Sequence, residues 1–148
     1  MTSHGNGAAS GDADPTAIRS IAVTTDDVVT ALESTRRSGR RTVLRITPPF
    51  SGRMRARLHR PVEGDDAGTT GAVHVEPATL VSDPPPYPDP DETADRLRAA
   101  GEYTTERHHD HHAAAVREWR AAVRAGVVDT VTLPADAGTH CVEVKRLG

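Results

Sequence analysis

Seven consecutive residues, Arg53-Met54-Arg55-Ala56-Arg57-Leu58-His59, alternate strictly between apolar side chains and cationic or imidazole ones. Only a β-strand sends every second side chain to the same face. The pattern predicts a strand with Met54, Ala56 and Leu58 turned to a core and Arg53, Arg55, Arg57 and His59 turned away from it. The segment before it, Arg41 to Thr47, is β-rich and stops at Pro48-Pro49, which lack the N–H groups that a ladder needs. Phe50-Ser51-Gly52 completes a turn, so the two segments read as an antiparallel hairpin. Leu44 and Ile46 then belong with the inward set and Arg45 with the outward one. A slip of one residue would exchange the two faces, so the apolar set fixes the register.

The rest of the chain supplies partners for this hairpin. Ile21 and Val23 mark a short strand, and Thr24-Thr25-Asp26-Asp27 gives a helix start with a capping hydroxyl and acids in the first turn. Val28, Val29 and Leu32 follow at helical spacing, with Gly39 as the stop. Glu63 to Gly71 reads as a polar, Gly-rich loop, and Ala72 to Val81 as a strand broken at Pro77. Five prolines between Asp83 and Asp91 predict a stiff, extended connector strapped over the surface. A short helix over Asp91 to Ala100 ends at Gly101, and Thr104 or Thr105 caps a long helix running to about Ala125. Val127 to Leu133 is ambiguous, and Thr139 to Leu147 reads as a closing strand.

Together these predict one α+β domain over 17–148: an antiparallel or mixed sheet of about five strands with helices packed on one face. Residues 1–16, rich in Gly, Ser, Ala and Asp, read as a disordered tail. At 148 residues the chain is one domain's worth. Only four residues are aromatic, so the core must come mainly from Val, Leu, Ile and Ala. No apolar run approaches the roughly 20 residues that span a bilayer, and the start has no basic, apolar leader, so a cytoplasmic protein without a membrane partner is expected. A net charge of -3 argues against a strongly basic nucleic-acid binder, though not against a local basic patch.

Two clusters are candidates for chemistry. The first is the outward face of the Arg strand: Arg45, Arg53, Arg55, Arg57 and His59 form a platform for an anionic ligand, nucleic acid or a protein partner. The plainer reading is an exposed face laced by cross-strand charge pairs, with Glu76 and Glu143 as the outward carboxylates. The second is Glu106-Arg107-His108-His109-Asp110-His111-His112. It lacks the glutamate of H-E-x-x-H, but His108 and His112 continue the apolar stripe of Ala115, Val116, Trp119, Ala122 and Val123. The pair is a candidate for a divalent metal, with a third ligand from His59, His74 or His140. Its plainer reading is satisfied or half-exposed histidines beneath the proline connector. Cys141, the single cysteine, excludes an internal disulfide and reads as a buried, inert thiol.

No nucleotide-binding glycine motif, phosphate loop or nucleophile elbow occurs, so no reaction is assigned. The segments Thr47 to His59, Pro85 to Thr93 and Glu106 to His109 resemble a haloarchaeal family of small uncharacterised proteins. One lysine against seventeen arginines and an excess of Asp over Glu point to the same source. The resemblance spans about Ile18 to Gly148 and implies no activity and no catalytic residue. The reading is therefore a non-enzymatic binding domain that uses the Arg face. A metal-binding protein and an accessory structural subunit are the alternatives.

Overall fold

A computed structural model describes residues 13–62, 71–135 and 138–148. Its strands are β1 (Ser20–Thr24), β2 (Val43–Ile46), β3 (Arg53–Arg55), β4 (Arg57–His59), β5 (Val73–Val75), β6 (Thr130–Ala135) and β7 (Gly138–Leu147). Its helices are α1 (Thr25–Ser38), α2 (Pro90–Ala99) and α3 (Thr105–Ala125). The α+β class is as expected, but the described strands number seven and form two sheets rather than one sheet of five. One sheet has four strands in the order β3-β1-β7-β6, and the other has three in the order β4-β2-β5. In the first, β1 runs parallel to β3 and β7, and β6 is antiparallel to β7; the second is antiparallel throughout.

The extra sheet arises inside the Arg strand. Arg53–Arg55 pairs with β1, and the Ala56 N–H still donates to the Ala22 carbonyl at 3.0 Å. One residue later the chain has left that sheet, and Arg57–His59 pairs with β2, Arg57 opposite Arg45 and Leu58 opposite Leu44. The predicted hairpin therefore holds only for its second half. Ala56 is fully buried at the step between sheets, and Met54 packs partly buried against the core. Leu58 departs from the expected burial: it is 41% exposed, because β4 is an edge strand with a neighbour on one side only. Leu44 and Ile46, on the central strand, are fully buried as expected.

Local chemistry sets the helix ends. The Thr24 hydroxyl accepts from the Asp27 N–H at 3.0 Å, and α1 stops at Gly39, whose φ of 73° is costly for any residue with a Cβ. Asp89 caps α2 and Thr104 caps α3 in the same way. The core joins the α1 face of Val28, Val29, Ala31 and Leu32 to Ile21, Val23, Leu44, Ile46, Leu80, Val123, Leu133 and Val142. Each such aliphatic side chain stabilises by about 1.5–3 kcal/mol when fully buried.

Asp14 caps a single turn at Pro15–Ala17, within the stretch read as a tail; residues 1–12 of that stretch lie outside the described residues, as does the loop over 63–70. Cys141 is exposed, not buried. The inward set on β7 is Val142 and Val144, so parity turns Cys141 outward beside Thr132 of β6. No described helix is long and apolar enough to cross a membrane.

Candidate functional site

The three-stranded sheet builds a row of nitrogen-bearing side chains. In register, Arg57 of β4 lies opposite Arg45 of β2, and Arg45 lies opposite His74 of β5. His59, two residues beyond Arg57, approaches from the same face: Arg45 Nη1 donates to His59 Nε2 at 3.4 Å, and the His59 and His74 ring centroids are 5.4 Å apart. Arg55 reaches the same place from β3 because the chain steps between sheets at Ala56. Arg45, Arg55, Arg57 and His59 thus line one depression of about 370 Å³, completed by Thr47, Met54 and Leu58.

Four of the five predicted platform residues therefore share one concave surface. Arg53 does not join them; it sits exposed on the other sheet, opposite Ser20. The sequence cannot place this boundary, because the alternation continues unbroken through Ala56.

The charge pairs expected to lace this face are absent among the described residues. Glu76 binds Arg41 instead, its Oε2 accepting from Nε at 2.8 Å, and Glu143 pairs with Lys145 at 3.2 Å. Arg53, Arg55 and Arg57 make no ion pair with any described residue. Arg55 also buries its Nε with no hydrogen-bond partner, which costs about 1–3 kcal/mol for a buried donor. Guanidinium groups directly opposite each other on a ladder, as Arg45 and Arg57 are, repel.

The histidine cluster behaves differently. His108 and His112 are half-buried and Asp110 is exposed, as the helical stripe predicts, with ring centroids 6.3 Å apart. His108 Nε2 lies 2.8 Å from the Pro90 carbonyl, an acceptor only, so that nitrogen carries the proton and is not offered to a metal. The expected third ligands lie elsewhere: His59 and His74 face each other on the three-stranded sheet, and His140 donates to the Ile18 carbonyl at 2.6 Å. Among the described residues no three His, Cys, Asp or Glu side chains converge as metal ligands.

A buried polar network went unread in the sequence. Glu33, on the inner face of α1, accepts from Arg120 Nε and Nη2 at 2.8 Å each and from the Tyr87 hydroxyl at 2.8 Å. The Arg120 bonds hold the Glu33 carboxyl below the usual carboxylate range, with help from Tyr87 and against the opposing effect of burial. Burial and the Glu33 contact push the Tyr87 hydroxyl up. Tyr87 packs edge-on against Trp119, whose Nε1–H donates to the Pro85 carbonyl at 2.9 Å, so this network pins the proline strap onto α1 and α3. The available signal was Glu33 itself, four residues after Val29 on the apolar stripe.

Neither the curated proteins nor the solved structures contain a match to the chain. A family described as a domain of unknown function, DUF8009, matches residues 8–148. That span begins ahead of the first described strand, takes in part of the stretch read as a tail, and covers both sheets, the depression and the strap. With nearly its whole length matched, the chain belongs to the DUF8009 family of domains of unknown function.

Proposed function

We propose that this domain binds a small organic anion, a carboxylate or phosphate ester, in the depression lined by Arg45, Arg55, Arg57 and His59. The observation that carries the reading is a concave cluster of guanidinium groups in which Arg55 and Arg57 meet no described carboxylate and Arg55 Nε is buried without a partner. Met54 and Leu58 give the same depression an apolar side, which suits a ligand with a hydrocarbon body. A volume near 370 Å³ matches a small molecule, and a net charge of -3 disfavours an extended nucleic-acid track. The role is binding rather than catalysis. A haloarchaeal source and a cytoplasmic location complete the proposal, supported by the Arg-for-Lys and Asp-rich composition.

The test is thermal stability at fixed ionic strength with hexanoate or inorganic phosphate, for the native chain and for Arg55→Gln/Arg57→Gln. A ligand at 100 times its Kd stabilises by about 2.7 kcal/mol, or roughly 5–10 °C for a domain of this size. The double variant loses the hexanoate response. A response equal in both proteins overturns the assignment. Tight binding to duplex DNA with a steep salt dependence would instead make the face a nucleic-acid surface.

A further inference from the structure

The Arg36-Arg37 pair ends α1 and lines no part of the depression; Arg37 reaches the Glu33 network only through its charge, without a hydrogen bond to it. Basic residues in a last turn ordinarily answer the negative end of the helix dipole. A second cavity of about 370 Å³ opens beside them. Arg36 and Arg37 line it from α1, Tyr87, Asp89 and Pro90 from the strap and the start of α2, and His112 from α3.

The groups around this cavity are unequally committed. Glu33 accepts its three hydrogen bonds from Arg120 and Tyr87, and Arg37 adds only its charge to them, without closing an ion pair. Asp89 spends Oδ1 on the Asp91 N–H at the α2 cap. Arg36 and Arg37 make no ion pair with any described residue, and His112 makes no hydrogen bond to one and buries Nδ1 without a partner. Two guanidinium charges against one carboxylate leave the lining net positive, even after the α1 dipole takes up about half a charge.

We propose that this cavity between the end of α1, the proline strap and α3 is a second anion site, taking a small phosphate-class oxyanion held by Arg36, Arg37 and His112. Planar guanidinium forks suit such oxygens, and an imidazole supplies a third donor direction that a helix end alone lacks. The inference is independent of the Arg55 depression, with which it shares no lining residue.

The experiment is a titration of the full chain with inorganic phosphate at constant ionic strength, followed by the ring resonances of His112. The expected result is a saturable shift of His112 that weakens at least tenfold in Arg36→Gln/Arg37→Gln. Both arginines are exposed, so the variant keeps the native melting temperature. The shift persists in Arg55→Gln/Arg57→Gln, which separates the two sites. A His112 response that is absent, that follows sodium chloride equally, or that survives in Arg36→Gln/Arg37→Gln overturns the proposal and leaves the arginines as dipole partners.

Discussion

Removing Arg120 is the sharpest test of how the proline strap is held. Glu33 has a side chain only 10% exposed and accepts three hydrogen bonds, two of them from Arg120. Arg120→Ala leaves that carboxylate with the Tyr87 hydroxyl alone. Truncating one partner of a fully buried pair costs about 3–5 kcal/mol, whereas exposed pairs contribute about 0.2–1 kcal/mol. The Arg120 side chain is 41% exposed, so water replaces part of what is lost. The expected cost at pH 7 is therefore about 2–3 kcal/mol, between those limits. For a domain of this size it lowers Tm by roughly 5–10 °C.

The pH dependence carries the same logic. In the native chain the Glu33 carboxyl lies below its unfolded value near 4.5, so its stabilisation is complete above that pH and fades as pH falls through the folded value. In Arg120→Ala the carboxyl loses its largest lowering cause and rises from its native position, with Tyr87 and the Arg37 charge still opposing burial, so protonation costs the variant less than the native chain. The penalty measured by urea unfolding should shrink between pH 7 and pH 4. Glu33→Leu/Arg120→Met, which removes both charges, should cost less than Arg120→Ala alone. A loss below about 0.5 kcal/mol, the size of an ordinary surface change, or a penalty that does not change with pH, refutes the buried-network account.

Trp119→Ala should cost about 3–5 kcal/mol in urea unfolding and raise amide exchange at Val81, Ser82 and Tyr87, since the indole is 4% exposed and holds the Pro85 carbonyl. Leu44→Ala should cost about 2–5 kcal/mol, while Leu58→Ala, one strand away in the same register, should cost about 1 kcal/mol or less. A chelator at neutral pH should leave Tm unchanged, with no stoichiometric zinc, nickel or iron by elemental analysis, because His108 Nε2 is committed to the Pro90 carbonyl.

Much of the local structure was legible because local rules decide it. Thr24 and Gly39 bound α1 where the sequence placed them, and α3 starts after Thr104, one of the two capping threonines expected, and runs to Ala125. Leu44, Ile46, Ala56 and Trp119 are buried as their periodicity requires. What escaped the sequence depends on partners distant in the chain. Nothing in Arg53 to His59 marks where it passes from one sheet to another, since both halves keep the same alternation. Leu58 is exposed by its place at a sheet edge, and Cys141 by the parity of β7. The Glu33, Tyr87 and Arg120 contact joins three elements, and each residue taken alone reads as ordinary. For the site, residue types and outward parity identified Arg45, Arg55, Arg57 and His59, but their gathering into one depression comes from the step at Ala56.

The central claim is that the Arg55 and Arg57 guanidinium groups bind an organic anion in that depression. The most direct measurement follows the side-chain Nε–Hε resonances of these two arginines during titration of the native chain with hexanoate at constant ionic strength. The account predicts saturable shifts at Arg55 and Arg57 with a common Kd, while Arg53 on the other sheet stays unmoved. Shifts of equal size at Arg53, or none at Arg55 up to tens of millimolar ligand, would contradict it.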